Sequence, residues 1–108
     1  MGENVESRLL VGSAGGVIRA LRKERGWSLA ALAERVGWDK SRLSRYETNQ
    51  VAMSLDTIGK IANGLELPAL VVLIKCLKHV YPDLRRRHGR ASKLLDEVAQ
   101  QVMRDWDE

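Results

Sequence analysis

The chain has 108 residues and a mass of 12.1 kDa, which suits one domain, and its 44% hydrophobic and 30% charged content excludes a chain disordered throughout. A single cysteine, Cys76, excludes an internal disulfide and a cysteine-based zinc cluster, and the central apolar run at residues 69–74 is far short of the roughly 20 residues that span a bilayer. The opening MGENVESRLLVG lacks the basic-then-apolar order of a secretory signal, so a reducing, cytoplasmic setting is expected. The net charge of +4 is uneven: residues 15–50 carry eight basic and four acidic side chains, residues 79–90 four and one, and residues 91–108 two and five. Two basic zones and an acidic tail suggest a polyanion partner, though a solvated helix face carries the same signature.

In chain order, the small-residue stretch Gly12-Ser13-Ala14-Gly15-Gly16 is expected to be a flexible lead-in, so that residues 1–14 precede the domain. It lacks the Gly-Lys-Ser/Thr ending and the preceding strand of a nucleotide loop. Val17, Ile18, Leu21 and Arg25 begin a 3.6-residue period that stops at Gly26, a C-terminal cap. Ser28 reads as the N-cap of a second helix with Leu29, Leu32, Ala33 and Val36 on one stripe, closed by Gly37. Asp39 caps a third helix from Lys40 to Glu47, and the turn Thr48-Asn49-Gln50 follows, where Asn49 tolerates left-handed backbone angles. Ser54 caps a fourth helix with Leu55, Ile58, Ile61 and Ala62 inward, closed by Gly64. Pro68 opens a fifth through Leu70, Leu73, Ile74 and Leu77. Tyr81-Pro82 interrupts, and Leu94, Leu95, Val98, Val102 and Trp106 give residues 92–106 an amphipathic spacing. No segment alternates with period two for long. The expected fold is all-α: five short helices forming a domain over residues 15–78, then a basic linker and a sixth helix over residues 79–108.

Residues 28–47 form a unit in which a short helix ends at Gly37 and three residues, Gly37-Trp38-Asp39, lead straight into another. That is the helix-turn-helix arrangement, whose second helix lies in the DNA major groove. On a helical wheel Leu43 and Glu47 share one face with Tyr46 beside it, whereas Ser41, Ser44, Arg45 and Thr48 share another, with Lys40 next to it. Arg and Lys can pair with guanine O6 and N7, and Ser is less discriminating. Lys40, Ser41, Ser44 and Arg45 are therefore the expected base-reading side chains, and Arg42, pointing sideways, suits a phosphate.

The stretch IRALRKERGWSLAALAERVGWDKSRLSRYETNQ, followed by SLDTIGKIANGLELP, resembles the Cro/C1 repressor-type, or XRE, helix-turn-helix family through the spacing of Leu21-Arg22, Gly26, Leu32-Ala33, Val36-Gly37, Leu43 and Glu47. The resemblance implies a five-helix, lambda-repressor-like DNA-binding domain, usually dimeric on a two-fold site, with an ion pair between Arg22 and Glu47. It implies base contacts at Lys40, Ser41 and Arg45. Three positions depart from the family pattern. Leu29 stands where many members carry a phosphate-binding Gln, which leaves Ser28 and the backbone N–H groups of the helix start for that contact. The loop Asn49-Gln50-Val51-Ala52-Met53 has no basic residue, leaving Asn49, Gln50 and Ser54 as phosphate donors. Trp38 fills a turn position that is commonly small or aliphatic.

The functional expectation is a DNA-binding transcriptional regulator, a repressor acting as a homodimer, in the cytoplasm or on the nucleoid. Leu94, Leu95, Val98, Val102 and Trp106 would supply a dimer interface, unless that stripe packs back on helix five. The alternative is an antitoxin whose residues 79–108 bind a toxin and which controls its own operator; a co-regulator is another possible protein partner. Arg85-Arg86-Arg87 with His88 and Arg90 fits a flanking phosphate, an acidic partner surface or a soluble linker equally. Cys76, His79 and His88 match no usual zinc spacing, and His79, Asp83, His88 and Glu97 belong to no catalytic pattern, so no metal, cofactor or enzymatic activity is expected.

Overall fold

Seven helices, and no strand, make up the described residues of the computed structural model: α1 (Val5–Glu24), α2 (Leu29–Val36), α3 (Lys40–Glu47), α4 (Leu55–Gly64), α5 (Ala69–Val80), the one-turn α6 (Leu84–Arg87) and α7 (Gly89–Trp106). The structure describes the backbone of residues 5–106 and the side chains of residues 14–83 and 86–106. Residues 1–4 of the expected lead-in and 107–108 of the acidic tail lie outside the described residues.

The first correction is to that lead-in. Helix α1 runs straight through Gly12-Ser13-Ala14-Gly15-Gly16. Each glycine costs about 1 kcal/mol of helix propensity, but Ala14, Val17, Ile18 and Leu21 are buried one turn apart, and packing of a continuous face outweighs propensity. Gly15 also has a packing reason. A Cβ there would lie 2.4 Å from the Tyr46 carbonyl oxygen and 2.8 Å from that of Glu47, so only glycine lets α1 cross the end of α3 this closely.

The helix starts are set by side chains. Ser28 Oγ accepts from the Ala31 N–H at 3.0 Å, Asp39 Oδ1 from the Arg42 N–H at 2.7 Å, and Ser54 Oγ from the Thr57 N–H at 3.1 Å. Four helix ends share one geometry. Left-handed residues at Gly26 (φ 72°), Gly37 (φ 87°), Asn49 (φ 60°) and Glu66 (φ 60°) are each followed by an N–H that reaches back five residues, as Trp38 does to the Ala33 carbonyl at 2.9 Å and Leu67 to that of Ala62 at 2.9 Å. These are Schellman closures, which satisfy the last carbonyls of a helix. The fourth helix corrects a second expectation: its left-handed residue is Glu66, not Gly64. Gly64 instead lets α4 approach α2, since a Cβ there would meet Val36 Cγ2 at 2.6 Å.

The core is built from every element of the first five helices. Ile18, Leu32, Leu43, Ile61, Leu65 and Val72 are fully buried. Leu29, Val36, Trp38 and Met53 pack against it. Two expected inward residues are exposed: Leu55 at 74% and Leu70 at 44%. On α5 the expected Ile74 is buried, and Val71, Val72 and Cys76 are buried with it, because α5 is covered on two sides, by α1 and by α7. Helix α7 begins three residues earlier than expected and runs back along α5. Near its start Ser92 and Asp96 share a hollow with Lys78 and Tyr81, and Lys78 pairs with Asp96. Near its end Met103 and Trp106 lie with Arg25, Asn63 and Glu66.

Candidate nucleic-acid interface

What fixes α3 comes first, since its orientation decides what its outer side can touch. Leu43 is wholly buried and anchors the helix in the core. One turn on, Glu47 accepts two hydrogen bonds from Arg22 of α1, Nε to Oε2 at 2.8 Å and Nη2 to Oε1 at 3.0 Å. The remaining Arg22 nitrogen, Nη1, donates to the Trp27 carbonyl at 2.9 Å. The pair is nearly withdrawn from water, with 11% and 4% of the two side chains exposed. The Glu47 carboxylate raises the Arg22 guanidinium above its ordinary range, overcoming the opposing effect of burial. A bidentate, planar pair of this kind fixes rotation as well as distance.

With that side anchored, the opposite side of α3 presents Ser41 and Arg45 as exposed side chains, while Lys40, exposed at the first position of the helix, and the half-buried Ser44 lie on the flank nearer the anchor. Ser41 Oγ donates to Asp39 Oδ1 at 2.8 Å, and Thr48 Oγ1 donates to the Ser44 carbonyl at 2.8 Å. Asp39 therefore receives an N–H and a hydroxyl, and with Arg45 and Arg42 close by its carboxyl is held below the usual range. It is ionised at neutral pH, so the cap is in its stronger, charged form.

Arg42 lies with its guanidinium 4.0 Å from the centre of the Trp38 ring, and Trp38 in turn meets Tyr46 at 5.3 Å between ring centres. The bulky turn residue thus packs on the core and holds Arg42 by a cation–π contact. Composition could flag Trp38 as unusual but could not pair it with Arg42, because the contact depends on how the turn is folded.

Ser28 and Ser54 use their hydroxyls as caps, and the first turn of α2 contains no acidic residue. The α2 start therefore offers backbone N–H groups and the positive end of the helix dipole without a competing carboxylate. In the loop after α3, Gly15 N–H donates to Asn49 Oδ1 at 3.2 Å, which leaves the Asn49 amide NH2 as a donor. Gln50 is exposed. Sequence reasoning did not connect Gly15 to this loop, because the contact depends on the crossing of α1 over α3.

The remaining sequence-flagged residues lie elsewhere. Leu94, Val98 and Trp106 are 59%, 43% and 44% exposed, whereas Leu95 and Val102 are half-buried. Cys76 is buried, which pushes its thiol pKa up. Arg86 and Arg87 lie near Asp83, at 3.7 Å and 3.5 Å. Among the described residues no group of His, Cys, Asp and Glu side chains gathers as a metal site, and no single helix is long and apolar enough to cross a membrane.

Comparison with known proteins places these elements in a family. The family described as Helix-turn-helix matches residues 18–72, which contain α2, α3 and their turn. The chain is 43% identical over 51 residues to the HTH-type transcriptional regulator SutR of Escherichia coli, covering 47% of this chain and 29% of that protein. It is 46% identical over 56 residues to an uncharacterized HTH-type transcriptional regulator of Mycobacterium bovis, covering 52% of this chain and 22% of that one, and to one of Mycobacterium tuberculosis at the same figures. The chain thus matches only about a quarter of the length of these curated relatives. No solved structure matches it. With more than half of its residues inside the family match and a Schellman-closed turn between α2 and α3, the chain belongs to the helix-turn-helix family of the Cro/C1, or XRE, type.

Proposed function

We propose that this protein is a sequence-specific double-stranded DNA-binding transcriptional regulator that acts as a homodimeric repressor. Residues 15–78 form the reading unit and residues 79–108 an appended pairing element. Lys40, Ser41, Ser44 and Arg45 read base edges in the major groove. Ser28, Arg42, Asn49, Gln50 and Ser54 hold phosphates on either side. Repression follows from covering a promoter. The observation that carries this reading is the division of α3: one side locked by Leu43 and the Arg22–Glu47 pair, the other exposing Ser41 and Arg45, with Lys40 exposed at the start of the helix. A helix held this rigidly keeps its side chains in one register against a groove, which direct readout requires.

The test is enrichment of bound sequences from random duplex DNA at near-physiological salt, where screening suppresses nonspecific phosphate binding. The expected result is an inverted repeat with half-site centres about 34 Å apart, one helical turn. Recovery of no preferred sequence, with weak and salt-sensitive binding to any duplex, would overturn base reading.

A further inference from the structure

Helix α7 carries two apolar faces, and the fold uses one. Ala99, half-buried, and Met103, 39% exposed, line the groove against Val71 and Ile74 of α5, and Ser92, two turns before Ala99, is buried near Lys78 and Tyr81. The other face, a turn and a half away, runs from Leu94 through Val98 and leaves both side chains largely in water. The charge along the same segment is polarised. From residue 85 to residue 93 there are five cations, Arg85, Arg86, Arg87, Arg90 and Lys93, and no acid. From residue 94 onward five acids oppose a single cation, Arg104.

This polarity is the reverse of what a lone helix favours. The helix dipole prefers acids near the N-terminus and cations near the C-terminus, and the first turn of α7 contains no acid. Arg90 and Lys93 at the start of α7 therefore cost it stability by themselves, and together with Asp105 near its end they favour a partner of matching polarity. A second α7 lying parallel would set cations against cations. A second α7 lying antiparallel would set the basic end of each against the acidic end of the other.

We infer that the outer face of α7 binds α7 of a second copy of this chain, antiparallel, about a two-fold axis near Val98. This rests on, and gives a location to, the dimer in the function proposed above. Symmetry about Val98 places Leu94 opposite Val102 of the second copy and Arg90 opposite the turn that holds Asp105. The fifteen residue steps from Arg90 to Asp105 span about 22 Å of helix, so both ends are engaged at once. A two-fold contact is self-complementary: each charge pair and each apolar pair occurs twice.

Sedimentation of the full chain without DNA, at micromolar concentration, tests it. The expected result is a dimer that becomes monomeric in the Leu94→Asp/Val98→Asp variant. Both residues are exposed, so the helical circular dichroism of that variant is expected to persist. Arg90→Glu and Asp105→Arg are each expected to weaken the dimer about fivefold, since symmetry counts every exposed pair twice. The double variant Arg90→Glu/Asp105→Arg is expected to restore it. A monomeric wild type, or a dimer indifferent to Leu94→Asp/Val98→Asp, would overturn the interface and assign that face to a different protein partner. Absence of rescue in the charge-swapped double variant would overturn the antiparallel orientation. Because no DNA is present, failure of base reading leaves this result standing, and failure here leaves base reading untouched.

Discussion

The Arg22–Glu47 pair shows how two charged residues can be structural. Both lie almost out of water, and every Arg22 nitrogen has an acceptor. Removing one partner leaves an uncompensated buried charge, which costs about 3–5 kcal/mol. Glu47→Gln is therefore expected to lower the thermal midpoint sharply, as read by circular dichroism, although it changes no exposed position of α3. Arg22→Met/Glu47→Leu is expected to recover much of that loss, because buried pairs replaced by apolar side chains are often neutral. Asp39 acts through its own ionisation. Its folded pKa lies below its unfolded one, so the charged cap contributes stability that is fully present above about pH 3.9, the unfolded value. That contribution is lost as pH falls through the lower folded pKa. Asp39→Asn is expected to be less stable than wild type at neutral pH, with the gap closing in acid, in melts across pH. Under the proposed DNA-reading role, Arg45 and Arg42 are expected to separate on DNA. Arg45→Ala is expected to cost about 1–3 kcal/mol on the preferred site and little on other sequences. Arg42→Ala is expected to weaken all duplexes alike and to flatten the salt dependence by about one phosphate.

At the scale of the helix, short-range chemistry was legible in the sequence and close approach was not. Ser28, Asp39 and Ser54 read as N-caps because their side chains answer orphan N–H groups in any helix. Gly37 and Asn49 read as left-handed because few other residues adopt that geometry cheaply. Gly64 misled: its helix closes two residues later at Glu66, and its lack of a Cβ serves the contact with Val36. Glu66 holds φ 60° at a cost of about 1–2 kcal/mol. In exchange its carboxylate meets Arg35 at 3.0 Å, while Arg35 also covers the Trp27 ring at 3.9 Å. Those ion pairs are exposed and so worth little. Glu66→Gly is therefore expected to raise the thermal midpoint, by the equivalent of about 1 kcal/mol. A lowered midpoint would mean that the Arg35–Trp27 stack depends on the carboxylate.

Across the whole molecule, helix order could be read from the spacing of apolar residues, but which helix covers which could not. The α5 stripe was expected through Leu70, Leu73, Ile74 and Leu77, as though one side were buried. Because α1 and α7 sandwich it, Val71, Val72 and Cys76 are covered instead, and Leu70 is left in water. The α7 stripe hid the opposite ambiguity. It is wide enough for two contacts, and only the position of α5 decides that Leu95 and Ala99 are half-covered while Leu94 and Val98 are not. The lead-in was misread for a related reason: local glycine content argued for flexibility, whereas the crossing of α1 over α3 requires Gly15.

The division of α3 into a locked side and an open side also shapes how this protein can change over generations. Lys40 and Arg45 are exposed, so substitutions there are expected to alter what the helix meets while keeping the Leu43 anchor and the Arg22–Glu47 pair. Under the proposed base-reading role, new sequence preferences can then arise by single steps, each leaving a folded protein for selection to act on. The buried pair behaves oppositely: neither residue can be exchanged alone without passing through a damaged intermediate. Diversity among descendants of this chain should therefore gather at positions 40, 41 and 45, while positions 22 and 47 stay fixed or change together.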